Sequence, residues 1–248
     1  MISAIMNRSV CYLELGEPLL CINDCILANE KLGTTNHQLT KSNIDDMKCK
    51  NYVRLGFAYF YLSDYQKSSY WLKEALKIRE CEKLSRDLRQ VDIILQAYTW
   101  KSNADKALST GDIHGAIEMY QKSIDIDRNH VATKFNFATL AFSQQRFQDC
   151  INACSEVLSI LSSTSKRSEI NLNASRFSLE SIPHPGSKRR REFVLASFCT
   201  RGSAYAEMGR IQRAHEDFFE AKKINGKMSL VSTSKLDKVI EKLEDLLK

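Results

Sequence analysis

Apolar residues along the chain recur at the spacing of helices. Cys150, Cys154 and Val157 stand at i, i+4 and i+7, one face of a helix that has to bury itself on a neighbour. Leu84, Leu88, Val91, Ile94 and Leu95 keep a helical spacing through 83–96 with no breaker, which predicts a helix that continues toward Trp100. At the other end, Leu236, Val239, Ile240, Leu243, Leu246 and Leu247 form one stripe opposite lysines and acids, with Ser232 to Ser234 as an N-cap, so an amphipathic helix is expected over 234–248. A β-sandwich or barrel needs a turn signal every ~8–12 residues, whereas 57–110 contains neither glycine nor proline. The chain reads as all-α.

The helical pattern itself repeats. From Trp100 the order is Gly111-Asp112-Ile113, Ala116, Tyr120 and Ser123, followed by Ala138, Arg146-Phe147, Cys150, Cys154 and Val157. Ala116 to Cys150 and Tyr120 to Cys154 are both 34 residues. The same order recurs as Gly202, Tyr205, Gly209, Ala214, Phe218, Ala221; as Gly56, Tyr59, Asp64, Ser68, Leu72, Ala75; and as Ser9, Tyr12, Gly16, Cys21, Cys25, Ala28. Each unit is a helix, a short turn carrying Gly, Asp or a polar pair, and a second helix. A small residue about twelve positions after the unit's first small residue lets the two helices approach closely. Such a pair cannot hide its apolar face alone, so the units are expected to stack into an α-solenoid whose concave side is lined mainly by the first helices.

The five units fall near 2–35, 49–82, 97–130, 131–164 and 195–228. Residues 36–48 and 165–194 are then insertions, each following a unit with the sequence Cys-Ile-Asn-x-Cys, at Cys21 to Cys25 and Cys150 to Cys154. The shared motif and insertion point suggest a duplicated module: 1–96, lacking its opening unit and closed by the 83–96 helix, and 97–248, closed by the tail helix. Because unit one begins at Met1, inside what should be its first helix, a longer natural chain is expected. The serines, charges, Pro183 and Pro185 of 165–194 predict a mobile, irregular insert that trypsin would cut first.

The net charge of +6 changes this picture little, since seven Lys/Arg against three Glu in Ser165 to Val194 account for +4 of it. A nucleic-acid footprint would be spread along a folded face, so nucleic acid is not an expected partner. No apolar run approaches the ~18–20 residues of a membrane span, and Met1 to Asn7 has no basic leader. The eight cysteines therefore read as reduced thiols of a cytoplasmic or nuclear protein. Lys188-Arg189-Arg190-Arg191, after the Ser-rich stretch, reads as a solvated loop that could serve nuclear import or meet phosphate.

Candidate chemistry is sparse. There is no phosphate-binding glycine loop or catalytic constellation, and His37, His114, His130, His184 and His215 sit in turns, inserts or second helices. No catalysis and no cofactor is expected. The Cys21/Cys25 and Cys150/Cys154 pairs could each present two thiolates, but a structural zinc needs four ligands, and both pairs fall where the repeat packs small apolar side chains. No metal is expected.

In spacing and in its small and aromatic positions the chain resembles the tetratricopeptide repeat family. That resemblance implies a right-handed α-solenoid that binds proteins. In the co-chaperone branch, three consecutive repeats form a carboxylate clamp for the C-terminal Glu-Glu-Val-Asp of heat-shock chaperones. Its pattern is Lys-x-x-x-Asn, then Asn, then Lys-x-x-x-Arg on successive first helices. Module one carries Asn7 in the second place and Lys50 and Arg54 in the third, so the resemblance implies an acidic-peptide adaptor. Lys50 and Arg54 are i, i+4 and share a helix face where both can meet one carboxylate. Module two keeps only Lys101 and Asn136: Asp105 replaces the first Asn and would repel a carboxylate, and Ala196 and Thr200 replace the cations, with Arg201 one residue out of register. That module is expected to be a degenerate groove or scaffold surface. Its insert and tail are similar to dynein axonemal assembly factor 4, which implies the alternative of a ciliary or nuclear scaffold binding a partner segment without a clamp.

Overall fold

The computed structural model describes residues 1–34, 40–163, 187–226 and 233–247. They form α1 (Ile2–Glu14), α2 (Pro18–Thr34), α3 (Lys41–Tyr61), α4 (Tyr65–Ile78), α5 (Glu82–Ser109), α6 (Ile113–Ile126), α7 (Val131–Ser143), α8 (Phe147–Ser163), α9 (Lys188–Glu207), α10 (Ile211–Asn225) and α11 (Thr233–Leu247). Among the described residues there is no strand, and no helix is long and apolar enough to cross a membrane. Two compact units divide between Leu95 and Gln96, inside α5. Each is a stack of antiparallel helix pairs.

The packing inside every pair follows one phase. The first helix contributes a small residue, Ser9, Gly56, Ala104, Ala138 or Gly202, all buried. Twelve residues later the second helix answers with Cys21, Ser68, Ala116, Cys150 or Ala214, all fully buried. At Gly56 the approach is so close that a Cβ would stand 2.5 Å from Leu72 Cδ2, while the Ser68 hydroxyl donates to the Gly56 carbonyl at 2.8 Å. The turn residue seven positions after the small one has positive φ in all five pairs: Gly16, Ser63, Gly111, Gln145 and Gly209. The next amide donates back across the turn to Tyr12, Tyr59, Ala107, Ala141 or Tyr205, closing the first helix with a Schellman bond at 2.8–2.9 Å. Glycine meets that demand at no steric cost in three turns; Ser63 and Gln145 meet it with strain.

Several boundaries differ from those read in the sequence. Residues 41–48, assigned to an insertion, form the first two turns of α3, because the Thr40 side chain accepts from the Asn43 amide at 3.3 Å and starts the helix early. Likewise Ser187 accepts from the Arg190 amide at 3.2 Å and starts α9 at Lys188, so the last residues of the 165–194 insert are helical. The expected mobility of 165–186 lies outside the described residues. The tail helix buries Leu236, Ile240 and Leu243 against the core around Phe218 and Ala214, but Val239, Leu246 and Leu247 are exposed, so only half of the expected stripe is used.

His130 is more than a turn residue. Its Nδ1 accepts from the Thr133 amide at 3.1 Å and caps α7. Burial, with Lys101 and Arg189 nearby and Asp127 opposing, lowers its pKa. Below about pH 6.5, the ordinary histidine value, the unfolded chain binds this proton more readily than the folded one, so stability should fall as pH drops through the lower folded pKa. His130→Ser keeps an acceptor at the cap and loses the titration. Urea unfolding at pH 7.5 and 5.5 should therefore show a smaller pH dependence in His130→Ser than in the parent; equal slopes would contradict this.

Candidate functional site

In the first unit, α1, α3 and the end of α4 line a groove of about 340 Å³. Val10, Leu13, Val53 and Phe57 supply apolar walls, and Lys50, Arg54, Arg79, Asp46 and Glu14 supply charge. Lys50 and Arg54 thus share one groove. Arg54 is half-buried and its guanidinium reaches Ser9 Oγ at 3.5 Å, whereas the Lys50 ammonium is exposed and donates to Asp46 at 2.6 Å. Arg79, the C-cap of α4, approaches the other Asp46 oxygen at 3.2 Å. The Lys50 bond, with the Lys50 and Arg79 charges, outweighs burial and holds the Asp46 carboxyl below its ordinary value.

Asn7 is exposed on α1 and does not line the groove. It precedes Val10 by three residues and Glu14 by seven, so it lies on the same stripe, one turn beyond the groove. Arg79 was not legible in the sequence: it comes from a second helix and has no fixed offset from the Lys50/Arg54 pair.

The second unit shows a different arrangement of the residues expected there. Lys101 donates to Asp105 at 2.6 Å, the Tyr120 hydroxyl donates to Asp105 at 2.5 Å, and the Asn136 amide approaches the same carboxylate at 3.4 Å. Asp105 does more than repel a ligand carboxylate: it occupies the donors one would use. Burial raises its pKa, but the bonds from Lys101, Tyr120 and Asn136 outweigh burial and lower it. Arg201 is also committed, bound by two hydrogen bonds to Asp217 at 2.7 and 2.8 Å and donating to Ser155 Oγ at 2.9 Å.

The Arg201–Asp217 pair has a counterpart in unit one, where Arg8 and Asp24, also sixteen residues apart, are joined by two bonds of 2.7 Å. Both staples link the first and second helices of a pair. The shared Arg-to-Asp spacing is a signal that the sequence itself carries.

The other candidates are structural. Cys21, Cys25, Cys150 and Cys154 are fully buried in the cores, and the bonds within each pair, with burial, push the Cys21 and Cys154 thiols up. No group of three or more potential metal ligands occurs among the described residues. The run Lys188–Arg191 is the first turn of α9, not a solvated loop, and the Arg190 side chain turns inward to the Leu161 carbonyl. Only part of the basic run therefore faces solvent.

Stacked antiparallel helix pairs with a small residue in phase at each crossing define an α-helical repeat protein. Residues 95–130, which include the third of these pairs, match the family model of the tetratricopeptide repeat. No curated protein matches the chain in sequence. Among solved structures, the first TPR of Spaghetti (RPAP3) bound to HSP90 peptide SRMEEVD is 16% identical, over 62% of this chain and 94% of its own, with a TM-score of 0.43. The TPR2AB-domain:pHSP90 complex of yeast Sti1 is 16% identical, over 98% of this chain and 86% of its own, at 0.41. The N-terminal domain of stress-induced protein-1 (STI-1) from C. elegans is 16% identical, over 61% and 97%, at 0.46.

Proposed function

We propose that the chain is a non-enzymatic adaptor whose first unit binds the acidic C-terminal segment of a partner protein, of the heat-shock-chaperone type, in the α1–α3 groove. The observation that carries this reading is that Lys50, Arg54 and Arg79 line one cavity together with the apolar side chains of Val10, Leu13, Val53 and Phe57 and the two carboxylates of Asp46 and Glu14. Three cations face two carboxylates there, so the groove keeps a positive excess for an anionic ligand. Val10, Leu13, Val53 and Phe57 suit an aliphatic side chain such as the valine of Glu-Glu-Val-Asp, while Asn7, one turn further along α1, can offer an amide to a longer peptide. Unit two is read as a scaffold surface, because Asp105 already takes its donors.

Fluorescence anisotropy with a labelled peptide ending Glu-Glu-Val-Asp tests this. The contacts lie in a solvated groove, so affinity should fall steadily as salt rises from 0.05 to 0.5 M, through the range where the Debye length shrinks below ~10 Å. No binding at low salt, or binding indifferent to salt, would overturn the reading.

A further inference from the structure

We infer that Asp46 is an internal stand-in for the ligand carboxylate, which an incoming acidic terminus must displace, and that it thereby sets the affinity of the groove. The inference rests on the reading of the groove just given. Asp46 lines the cavity and is held by Lys50 at 2.6 Å and Arg79 at 3.2 Å, one contact to each carboxylate oxygen. Two cations converging on one carboxylate are what a ligand carboxylate would require, and the protein has filled that position from its own α3.

The two units make the same kind of contact with opposite consequences. In unit two the lysine is largely covered, at 19% side-chain exposure, and Asp105 also receives Tyr120 and Asn136, so its carboxylate is fixed by three donors from three helices. In unit one Lys50 is 59% exposed and Arg79 is 70% exposed, so the partners of Asp46 are solvated cations rather than neighbours in a packed core. Exposed pairs of this kind are individually weak. Asp46 is therefore displaceable where Asp105 is not. Displacement swaps one carboxylate for another on Lys50 and Arg79, so the ligand gains those contacts only net of the ones Asp46 gives up, and the ligand carboxylate then shares the groove with Asp46 and Glu14.

Asp46→Asn keeps the size of the side chain and removes the competing charge. The variant should bind the Glu-Glu-Val-Asp peptide about two- to fivefold tighter than the parent, the range a surface ion pair is worth, with an unchanged thermal midpoint. In the Lys50→Ala background the same substitution should give less than half of that gain, because part of what Asp46 competes for is gone. If Asp46 instead served to hold Lys50 and Arg79 in place, Asp46→Asn would weaken binding, and that result would overturn the inference. A gain of the same size with and without Lys50 would overturn it too. The groove reading fails separately: equal binding of free-acid and amidated peptides by parent and variant alike, or no binding by either, would remove the site itself, whereas acid-selective binding with no gain from Asp46→Asn would remove only the role of Asp46.

Discussion

Asp217→Ala is expected to destabilise the second unit by about 3–5 kcal/mol, because it leaves the Arg201 guanidinium largely buried without its anion. Asp217 is 7% exposed and Arg201 19%, and two hydrogen bonds join them between α9 and α10. At roughly 2–4 °C per kcal/mol for a unit of this size, the thermal midpoint should fall by about 6–20 °C. Asp24→Ala cuts the geometrically equivalent staple in the first unit, yet the loss there should be much smaller. Arg8 is 55% exposed, so water takes over from the missing carboxylate. Replacing both partners in unit two by apolar residues of similar volume, Arg201→Met with Asp217→Leu, should recover most of the loss, since no charge is then stranded. Circular-dichroism melts of the three variants decide it: equal losses for Asp217→Ala and Asp24→Ala, or a double variant worse than the single one, would contradict this account of the staples.

The second large effect concerns the groove. A charge-assisted hydrogen bond to a carboxylate is worth roughly 1.5–3 kcal/mol, so Arg54→Ala should weaken binding of the Glu-Glu-Val-Asp peptide about ten- to a hundredfold, whereas Lys50→Ala, whose exposed ammonium gives up Asp46 to bind the ligand, should weaken it about two- to fivefold. Lys50 is exposed and carries little of the fold, so Lys50→Ala should leave the melt unchanged. Arg54 bonds Ser9 across α1 and α3, and Arg54→Lys, which keeps the charge but loses the planar fork, should fall between parent and alanine in affinity. Lys101→Ala, in the groove already filled by Asp105, should leave peptide affinity unaltered. An Arg54→Ala variant that binds as tightly as the parent would remove Arg54 from the site.

Much of the fold was legible because the repeat imposes one packing rule at a fixed phase. The small residues at Gly56, Ala138 and Gly202, and their partners twelve positions on, mark close helix crossings: a Cβ would stand 2.5 Å from Leu72 at Gly56 and 3.0 Å from Phe218 at Gly202. The repeat read at 97–130 lies within two residues of the family match at 95–130. Helix starts were harder, because α3 and α9 begin about eight residues before the repeat does. The signals there are single capping side chains, Thr40 and Ser187, which carry no periodicity. Ser63 and Gln145 hid two of the five left-handed turn positions, since neither residue type advertises positive φ.

At the site, Lys50 and Arg54 could be placed together from their spacing on one helix. Arg79 and Asp46 could not be placed there, since one arrives from the end of another helix and the other reads as an ordinary surface acid. The fate of Lys101 and Asn136 also depended on tertiary structure: their convergence on Asp105 and Tyr120 needs three helices to be in position.

The most direct test of the adaptor reading is isothermal titration of the chain with one peptide ending Glu-Glu-Val-Asp, as the free acid and as its C-terminal amide. If Lys50, Arg54 and Arg79 grip the terminal carboxylates, the free acid should bind at least tenfold tighter than the amide. Equal affinity for the two would show that the groove does not recognise a carboxylate terminus and would contradict the central claim.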